Sequence, residues 1–206
     1  MRLPTLLLSI LVLGLAPLQS VSATEAQALS PLLARLDKTN VIQASFTQTK
    51  ILHALKRPLL TYGNIVFMRD KGVLWRIDKP YKAAYLLGPD SVTEVFADGR
   101  RRVRGINEVP ALAQVGKVFQ AIFQGDTQVL SNYFEIARHG DAARWRLELN
   151  PKPQLAQFLK SIQAQGGEFL DRLDIAEANG DLTRIEFNNS RRDTPLSVPD
   201  QALFGD

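Results

Sequence analysis

Two histidines, His53 and His139, are the only imidazole groups in a chain of 206 residues that contains no cysteine. A catalytic thiol, a thiolate metal site and a disulfide framework are therefore excluded. Neither histidine lies in a known catalytic pattern, and the sequence has no G-x-S-x-G, P-loop, G-x-G-x-x-G or H-E-x-x-H motif. Both positions are typical of surface histidines. We predict no catalytic residue, no metal site and no cofactor.

A group of acidic residues near the C-terminus suggests a cation site at first sight: Asp171, Asp174, Glu177 and Asp181. Their spacing spans a predicted strand and the hairpin turn that follows it. No ligand-loop spacing typical of calcium sites fits them. We therefore interpret these carboxylates as part of a solvated sheet face.

The first 23 residues have the pattern of a secretory signal peptide. Arg2 precedes an almost wholly apolar run over 3–18, and Val21-Ser22-Ala23 resembles a cleavage site. The alternative is a membrane anchor, but the run is shorter than the roughly 20 residues of a spanning helix, and Pro17 interrupts it. We predict cleavage after Ala23, one mature domain over 24–206, and a periplasmic location in a bacterial envelope.

Three arginines at alternate positions, Arg100, Arg102 and Arg104, form the sharpest charge cluster. Export excludes nucleic acid as their partner. Two interpretations stay open: a surface for anionic lipid headgroups or an acidic partner, and a solvated hairpin arm without a binding role.

Strand patterns dominate the chain from Val41 onward. Apolar residues alternate with polar ones over most of 41–105, 134–149 and 168–190, and Asp98-Gly99 predicts a type I′ hairpin turn. Three segments have helical periodicity instead: 25–38, 110–124 and 154–167. Strands that follow one another in hairpins predict about 9–11 antiparallel strands in a strongly curved sheet, with three helices on its concave side.

The helix predicted over 110–124 has an apolar stripe that is wide for a surface helix. The stripe consists of Leu112, Val115, Val118, Phe119, Ile122 and Phe123. Such a face either belongs to an ordinary core or covers a cavity that an apolar ligand can enter.

Several short motifs occur together in the order of a known family. They are LARLDKTNVIQASFTQTK over 33–50, GNIVF over 63–67, Arg69, Leu74-Trp75 and Pro80. This phased set resembles the LolA-like family of periplasmic outer-membrane lipoprotein carriers. The resemblance implies an unclosed antiparallel β half-barrel with helices as a lid over an apolar cavity. It also implies a monomer that takes acylated lipoprotein or lipid cargo from an inner-membrane exporter to an outer-membrane acceptor.

The same resemblance, together with strand parity, assigns site residues. The lipid-binding candidates are Phe46, Phe67, Trp75, Tyr85, Phe119 and Phe123. Arg69 would hold the lid closed, although the proline that usually follows this arginine is Asp70 here. The helix predicted after Pro151 departs from the carriers and resembles a branch associated with lipid or pigment export.

A carrier of acylated cargo is thus the leading hypothesis. The alternative is a periplasmic regulatory, sensor or structural module on the same half-barrel. An enzyme would need a nucleophile and a base, and the sequence offers no plausible pair.

Overall fold

The computed structural model describes residues 40–108, 110–124, 126–141 and 143–205, with side chains from Gly116 onward in the segment 110–124. The predicted signal peptide (1–23) and the helix predicted over 25–38 lie outside the described residues. So do the side chains of Leu112 and Val115.

In the part of the chain that the structure describes, eleven strands form one antiparallel sheet, in agreement with the predicted fold. The strands are β1 (Val41–Ile51), β2 (Leu59–Met68), β3 (Gly72–Lys79), β4 (Ala83–Leu87), β5 (Ser91–Val95), β6 (Arg101–Gly105), β7 (Phe134–Gly140), β8 (Trp145–Pro151), β9 (Leu159–Gly166), β10 (Leu170–Glu177) and β11 (Leu182–Arg192). Their order is β6-β5-β4-β3-β2-β1-β11-β10-β9-β8-β7. Among the described residues β6 and β7 each pair on one side only, so the barrel does not close.

Four helices lie within the described residues: α1 (Pro110–Gln124), α2 (Thr127–Ser131), α3 (Pro153–Ala156) and α4 (Val198–Phe204). The chain passes from edge strand β6 through α1 and α2 to edge strand β7. A hydrogen bond from the Val129 N–H to the Asp126 side chain, 2.9 Å long, caps α2.

Strict alternation along the strands divides the sheet into two apolar faces. Ile65 and Phe67 of β2 belong to the main core on the concave face, whereas Val66 between them belongs to a smaller cluster on the convex face. Helix α1 packs on the concave face. A Cβ on Gly116 would lie only 3.1 Å from the Cβ of Leu87, which shows how closely α1 approaches β4.

The convex face is covered in part by α4, a helix that the sequence pattern did not predict. Phe204 packs against Val66, Leu74 and Ala84. These three residues are apolar and face outward, because their neighbours in sequence already fill the concave core. Leu203-Phe204 is an apolar pair near the end of the sequence, but the sequence does not show which surface the pair covers.

The helix predicted over 154–167 is wrong. The four-residue helix α3 ends at Ala156, and Leu159–Gly166 forms β9 between β8 and β10. Ile162, Ala164 and Gly166 are buried at alternate positions, and Phe158 is 63% exposed, although it belongs to the predicted apolar stripe. The apparent departure from the lipoprotein carriers after Pro151 therefore loses its basis.

The turn type predicted at Asp98-Gly99 is also wrong, although the hairpin itself is present. Gly99 has φ 83°, but Asp98 does not have a positive φ, which a type I′ turn requires at both central residues. The N–H of Gly99 donates to the Phe96 carbonyl and the N–H of Phe96 donates to the Arg100 carbonyl, both at 2.9 Å. This is a type I turn that ends in a left-handed glycine.

Candidate functional site

Aromatic rings fill the centre of the concave face, and most of them come from the residues predicted to bind lipid. Trp75 lies at the middle, with its ring centroid 4.3 Å from that of Phe46 and 5.4 Å from that of Phe119. Phe123 stacks on Phe67 at 5.8 Å. The structure therefore brings five of the six predicted aromatic residues into one cluster.

Phe187 of β11 completes this cluster and was missed at the level of sequence. Its ring lies edge-on to Phe123 at 5.7 Å and to Trp75 at 6.5 Å. The signal that could have found it is the alternation on β11, where Ile185 and Phe187 are buried and their neighbours are exposed.

Gly63 of β2 has no side chain, and the Phe46 ring lies over its backbone. Phe46 and Gly63 are direct cross-strand partners, and a Cβ on Gly63 would lie 2.9 Å from the ring and 1.9 Å from the Arg76 carbonyl oxygen. Only a residue without a side chain fits there. The glycine thus allows the Phe46 ring to lie against the sheet and to reach Trp75.

Helix α1 is attached to this face by apolar contacts. Phe119, Ile122 and Phe123 are each less than 10% exposed and point into the main core. The side chains described for α1, from Gly116 to Gln124, form no hydrogen bond or ion pair with the sheet. Apolar contacts are non-directional, so other apolar groups can replace them without leaving a polar partner unsatisfied.

The described part of α1 packs closely on the aromatic face of the sheet. One cavity of about 10 Å³ lies between α1 and the sheet, which is room for roughly one water molecule. Its lining includes Ile42, Ala44, Ile122, Phe123, Trp145 and Phe187. An acyl chain does not fit in this cavity unless α1 or the aromatic rings move.

Tyr85, the sixth predicted aromatic residue, marks the boundary of the apolar interior. It packs against the main core beside Trp75 on β3, and its hydroxyl donates a 3.5 Å hydrogen bond to Glu94 Oε1 on β5. Burial, and then the charge of Glu94, raise the pKa of the Tyr85 hydroxyl. The phenol therefore stays protonated and can donate this bond.

The three predicted surface arginines lie at the β6 edge, and the register gives their direction. Arg102 pairs with Glu94, and Arg104 pairs with the buried Val92, so both arginines belong to the concave side. The guanidinium groups of Arg100 and Arg102 lie 5.5 Å and 5.2 Å from the Phe96 ring centroid.

Ion pairs partly neutralise this arginine cluster. Arg100 Nε bonds the Asp98 carboxylate at 2.6 Å, whereas Arg102 lies 3.9 Å from Glu94. Arg101 faces the other way and donates a 3.4 Å hydrogen bond to the Ala202 carbonyl of α4. A binding role for Arg100, Arg102 and Arg104 stays a prediction.

Arg69, the predicted lid latch, directly follows β2 and is half-buried. The backbone N–H of Arg69 donates a hydrogen bond of 2.9 Å to the Asn40 carbonyl. Asp70 is exposed and has φ 63°, and the Lys71 N–H donates to the carbonyls of both Met68 and Arg69. Proline is restricted to φ near −65°, so this turn differs from one with the family's usual proline. The latch role stays a prediction.

Neither histidine lies near the aromatic interior. The N–H of His53 donates to Asp181 at 2.8 Å in a loop, and His139 Nε2 lies 3.7 Å from Glu148 on exposed strand surface. In the predicted acidic group, Asp174 is held between Arg172 and Arg184 at 2.6 Å and 2.8 Å. The described part of the chain contains no cluster of metal-ligating residues.

The described residues also include no helix that is both long and apolar enough to cross a bilayer. What the structure does present is an open antiparallel half-barrel whose concave face is aromatic and covered by an apolar helix. The architecture therefore defines the structural class as an open half-barrel with an apolar helix packed on its concave face.

Comparison with known proteins agrees with this class. The family described as outer membrane lipoprotein carrier protein LolA-like matches residues 21–195, so the chain belongs to the LolA-like family. The outer-membrane lipoprotein carrier protein of Methylococcus capsulatus is 26% identical over 190 residues, which are 89% of this chain and 85% of that protein.

Two further proteins are similar to the chain over a smaller share or at lower identity. The outer-membrane lipoprotein carrier protein of Cupriavidus taiwanensis is 29% identical over 140 residues, 66% of this chain. The match spans 63% of that relative's own length. A solved structure of a LolA superfamily protein from Nitrosomonas europaea aligns with 82% of this chain and 95% of its own, at 8% identity and a TM-score of 0.45.

Proposed function

We propose that this protein binds the acyl chains of a lipoprotein or lipid in the aromatic interior and carries them across the periplasm. The observation that supports this most directly is the packing of α1, which inserts the rings of Phe119 and Phe123 into the concave face through apolar contacts. The curated relatives are lipoprotein carriers by name.

An acyl chain needs such a protein because the exposure of its apolar surface to water is unfavourable. Each exposed methylene group is unfavourable by about 0.8 kcal/mol, so a 16-carbon chain in water is unfavourable by roughly 10 kcal/mol or more. A carrier has to shield this surface and still release it. A lid that occupies the cavity in the cargo-free protein meets both needs. When the cargo leaves, the lid packs into the vacated space, and its apolar contacts offset the free energy that release of the cargo costs.

The small cavity between α1 and the sheet suits this exchange. A permanently open apolar pocket would hold an acyl chain tightly and would release it slowly. Here the rings of Phe119 and Phe123 occupy the space that the proposed cargo would take. We infer that α1 and the rings move outward together when cargo enters.

The proposed route follows from the family and the predicted signal peptide. The protein would be exported with cleavage after Ala23, receive cargo from an inner-membrane exporter and deliver it to an outer-membrane acceptor. We propose that it acts as a monomer without a cofactor and without catalysis.

Two measurements test the proposal. Lipids extracted from the purified protein should include acylated molecules when analysed by mass spectrometry. A fluorescent 16-carbon fatty acid should bind the delipidated protein saturably and be displaced by unlabelled fatty acid. A protein that carries no extracted lipid and binds no acyl probe contradicts the carrier function.

A further inference from the structure

The exposed apolar residues of this protein gather at one end of the sheet. Ten large apolar side chains are exposed in the described part of the chain, and eight of them lie where β1 ends and β2 begins or at the same end of other strands. Their exposed fractions run from 41% to 63%. The eight are Ile51, Leu55, Leu59, Leu60, Tyr62, Tyr81, Phe158 and Leu182.

The register places these residues on one rim. Ile51 pairs with Leu182, Lys50 pairs with Leu59, and Tyr62 pairs with Lys79, so the ends of several neighbouring strands meet there. We use the term loop rim for the connections 52–58, 80–82, 96–100, 152–158 and 178–181 together with the strand residues that border them.

The same rim is basic, and the opposite end is not. The five connections of the loop rim contain five Lys and Arg residues (Lys56, Arg57, Lys82, Arg100, Lys152) and two Asp residues. The four strand-to-strand connections at the other end (69–71, 88–90, 141–144 and 167–169) contain three basic and four acidic residues. None of the exposed large apolar residues of the described chain lies in those four connections.

The loops of the rim are held in place by hydrogen bonds. The His53 N–H donates to Asp181 Oδ1 at 2.8 Å, which joins the connection 52–58 to the connection 178–181. The N–H of Leu55 donates to the Leu52 carbonyl at 3.0 Å. The exposed leucines are therefore presented to solvent by an ordered surface.

We propose that the loop rim docks on the surface of a bilayer that contains anionic lipids. Exposed leucines between lysines and arginines match the boundary between acyl chains and phosphate groups, where apolar side chains enter the bilayer and cations stay at the headgroups. The exposed apolar residues are spread over several separate connections. A fluid lipid surface can adapt to such an outline, whereas a protein partner needs a complementary shape over a large area.

This orientation has a consequence for the interior. Helix α1 leads to α2 and then to Phe134, the residue of β7 that lies at the same end as the loop rim. Docking would therefore bring the end of α1 that carries Phe119 and Phe123 towards the bilayer. The docking itself is independent of the proposed carrier function.

Vesicle sedimentation with purified protein tests the proposal. Vesicles of pure phosphatidylcholine are compared with vesicles in which about a third of the lipid is anionic phosphatidylglycerol. Wild-type protein should bind the anionic vesicles at least about 10-fold more tightly than the neutral ones, and added salt should weaken the binding. Absence of binding to either vesicle overturns the proposal.

Two double variants separate the apolar and the charged contributions. Lys56→Gln with Arg57→Gln should weaken binding about 25-fold, which corresponds to the loss of about 1 kcal/mol for each cation near the surface. Leu55→Gln with Leu59→Gln should weaken binding at least about 5-fold even at low salt, because less apolar surface enters the bilayer. If either double variant binds like wild type, the loop rim is not the docking surface.

Matched controls make the same changes elsewhere. Val103→Gln with Val198→Gln alters apolar residues that are 64% and 77% exposed but lie outside the rim. Arg144→Gln with Arg146→Gln removes two exposed cations near the opposite end. Both controls should bind vesicles like wild type, and a loss of binding in them contradicts the proposal.

Two more readouts identify other causes. The wild-type protein could instead form a concentration-dependent dimer and bind no vesicles, while the double variant Leu55→Gln with Leu59→Gln stays monomeric. This result would overturn the proposal and mean that the loop rim joins two copies of the chain. Titration with the fluorescent fatty acid should be unchanged in all rim variants. A protein that binds vesicles through the rim but binds no fatty acid supports the docking and contradicts the carrier function.

Discussion

Arg76 of β3 donates a hydrogen bond to the carboxylate of Asp200 in α4, and this ion pair ties the C-terminal helix to the convex face of the sheet. Asp200 is 6% exposed and also accepts from the Ser197 hydroxyl at 2.6 Å. Ser197 in turn accepts from the Asp200 N–H and so caps the helix. One carboxylate therefore joins the cap of α4 to β3.

Removal of the Arg76 guanidinium should destabilise the folded protein, because it leaves the buried Asp200 carboxylate without its charge partner. Arg76→Met should lower the free energy of unfolding by about 2 kcal/mol, within the range for broken, partly buried pairs. The double variant Arg76→Met with Asp200→Asn should recover part of this loss. Chemical denaturation of wild type, Arg76→Met, Asp200→Asn and the double variant measures the coupling, and strictly additive effects would show that the two residues do not interact.

Alternation of apolar residues predicted the faces of the sheet correctly. Ile42 and Phe46 of β1, like Ile65 and Phe67 of β2, are buried on the concave face as expected. A one-residue shift of register would expose all of them, so the pattern determines the pairing strongly. This is why the curved sheet and five members of the aromatic cluster could be predicted from the sequence.

The segment 154–167 shows where the pattern fails. Leu155, Phe158, Leu159 and Ile162 satisfy the spacing of a helical face. The same segment also alternates from Ile162 to Gly166, and β9 gains hydrogen bonds to β8 on one side and β10 on the other. Non-local pairing overrides the local pattern, and a single sequence does not show it. The loop rim was missed for the same reason, because its residues come from separate hairpins.

The Asp70 turn gives a second prediction. Asp70→Asn should leave stability unchanged within about 0.5 kcal/mol, because asparagine tolerates a positive φ. Asp70→Pro should destabilise the protein by about 3 kcal/mol or more, because proline cannot adopt φ 63°. Thermal unfolding compares the two, and equal stability of both variants would contradict the turn geometry.

The same pair of positions decides the latch role of Arg69. If Arg69 holds the lid, Arg69→Leu should slow the transfer of a bound acyl probe to acceptor vesicles, while Asp70→Asn transfers like wild type. If Arg69 acts only through its charge interaction with Asp70, Arg69→Leu and Asp70→Asn should transfer the acyl probe at the same rate. A normal transfer rate in Arg69→Leu removes this residue from the functional site.

Asp174 should make stability depend on pH in the acid range. Burial by itself would raise the pKa of Asp174, but the hydrogen bonds from Arg172 and Arg184 outweigh it and hold the pKa below the ordinary value of 3.8. The unfolded chain therefore takes up the proton first as the pH falls. The stabilisation is present above pH 3.8 and is lost as the pH falls through the lowered native pKa.

Asp174→Asn should accordingly destabilise the protein by about 1 kcal/mol at pH 7, a value discounted for partial exposure. Urea unfolding at several pH values should show this difference shrinking below pH 3.8. Glu135→Gln changes an exposed carboxylate on β7 and serves as the control. A difference that stays constant down to the lowest pH would mean that Asp174 acts through packing alone.

The exchange between lid and cargo is tested at Phe119, which is 7% exposed and packs edge-on against Trp75. Phe119→Ala removes this ring from the interior and should lower the free energy of unfolding by about 3–5 kcal/mol, as for other buried aromatic residues. The space that it leaves is apolar and should stay dry, so an acyl chain can occupy it. The variant should therefore melt at a lower temperature than wild type and still bind the fluorescent fatty acid at least as tightly.

Leu74→Ala provides the matched comparison, because Leu74 is 1% exposed but belongs to the cluster on the convex face. This change should reduce stability by about 2–5 kcal/mol without any gain in probe binding. Melting curves recorded with and without the probe give both quantities for each protein. If Phe119→Ala loses probe affinity in proportion to its loss of stability, Phe119 is an ordinary core residue and α1 does not exchange places with cargo.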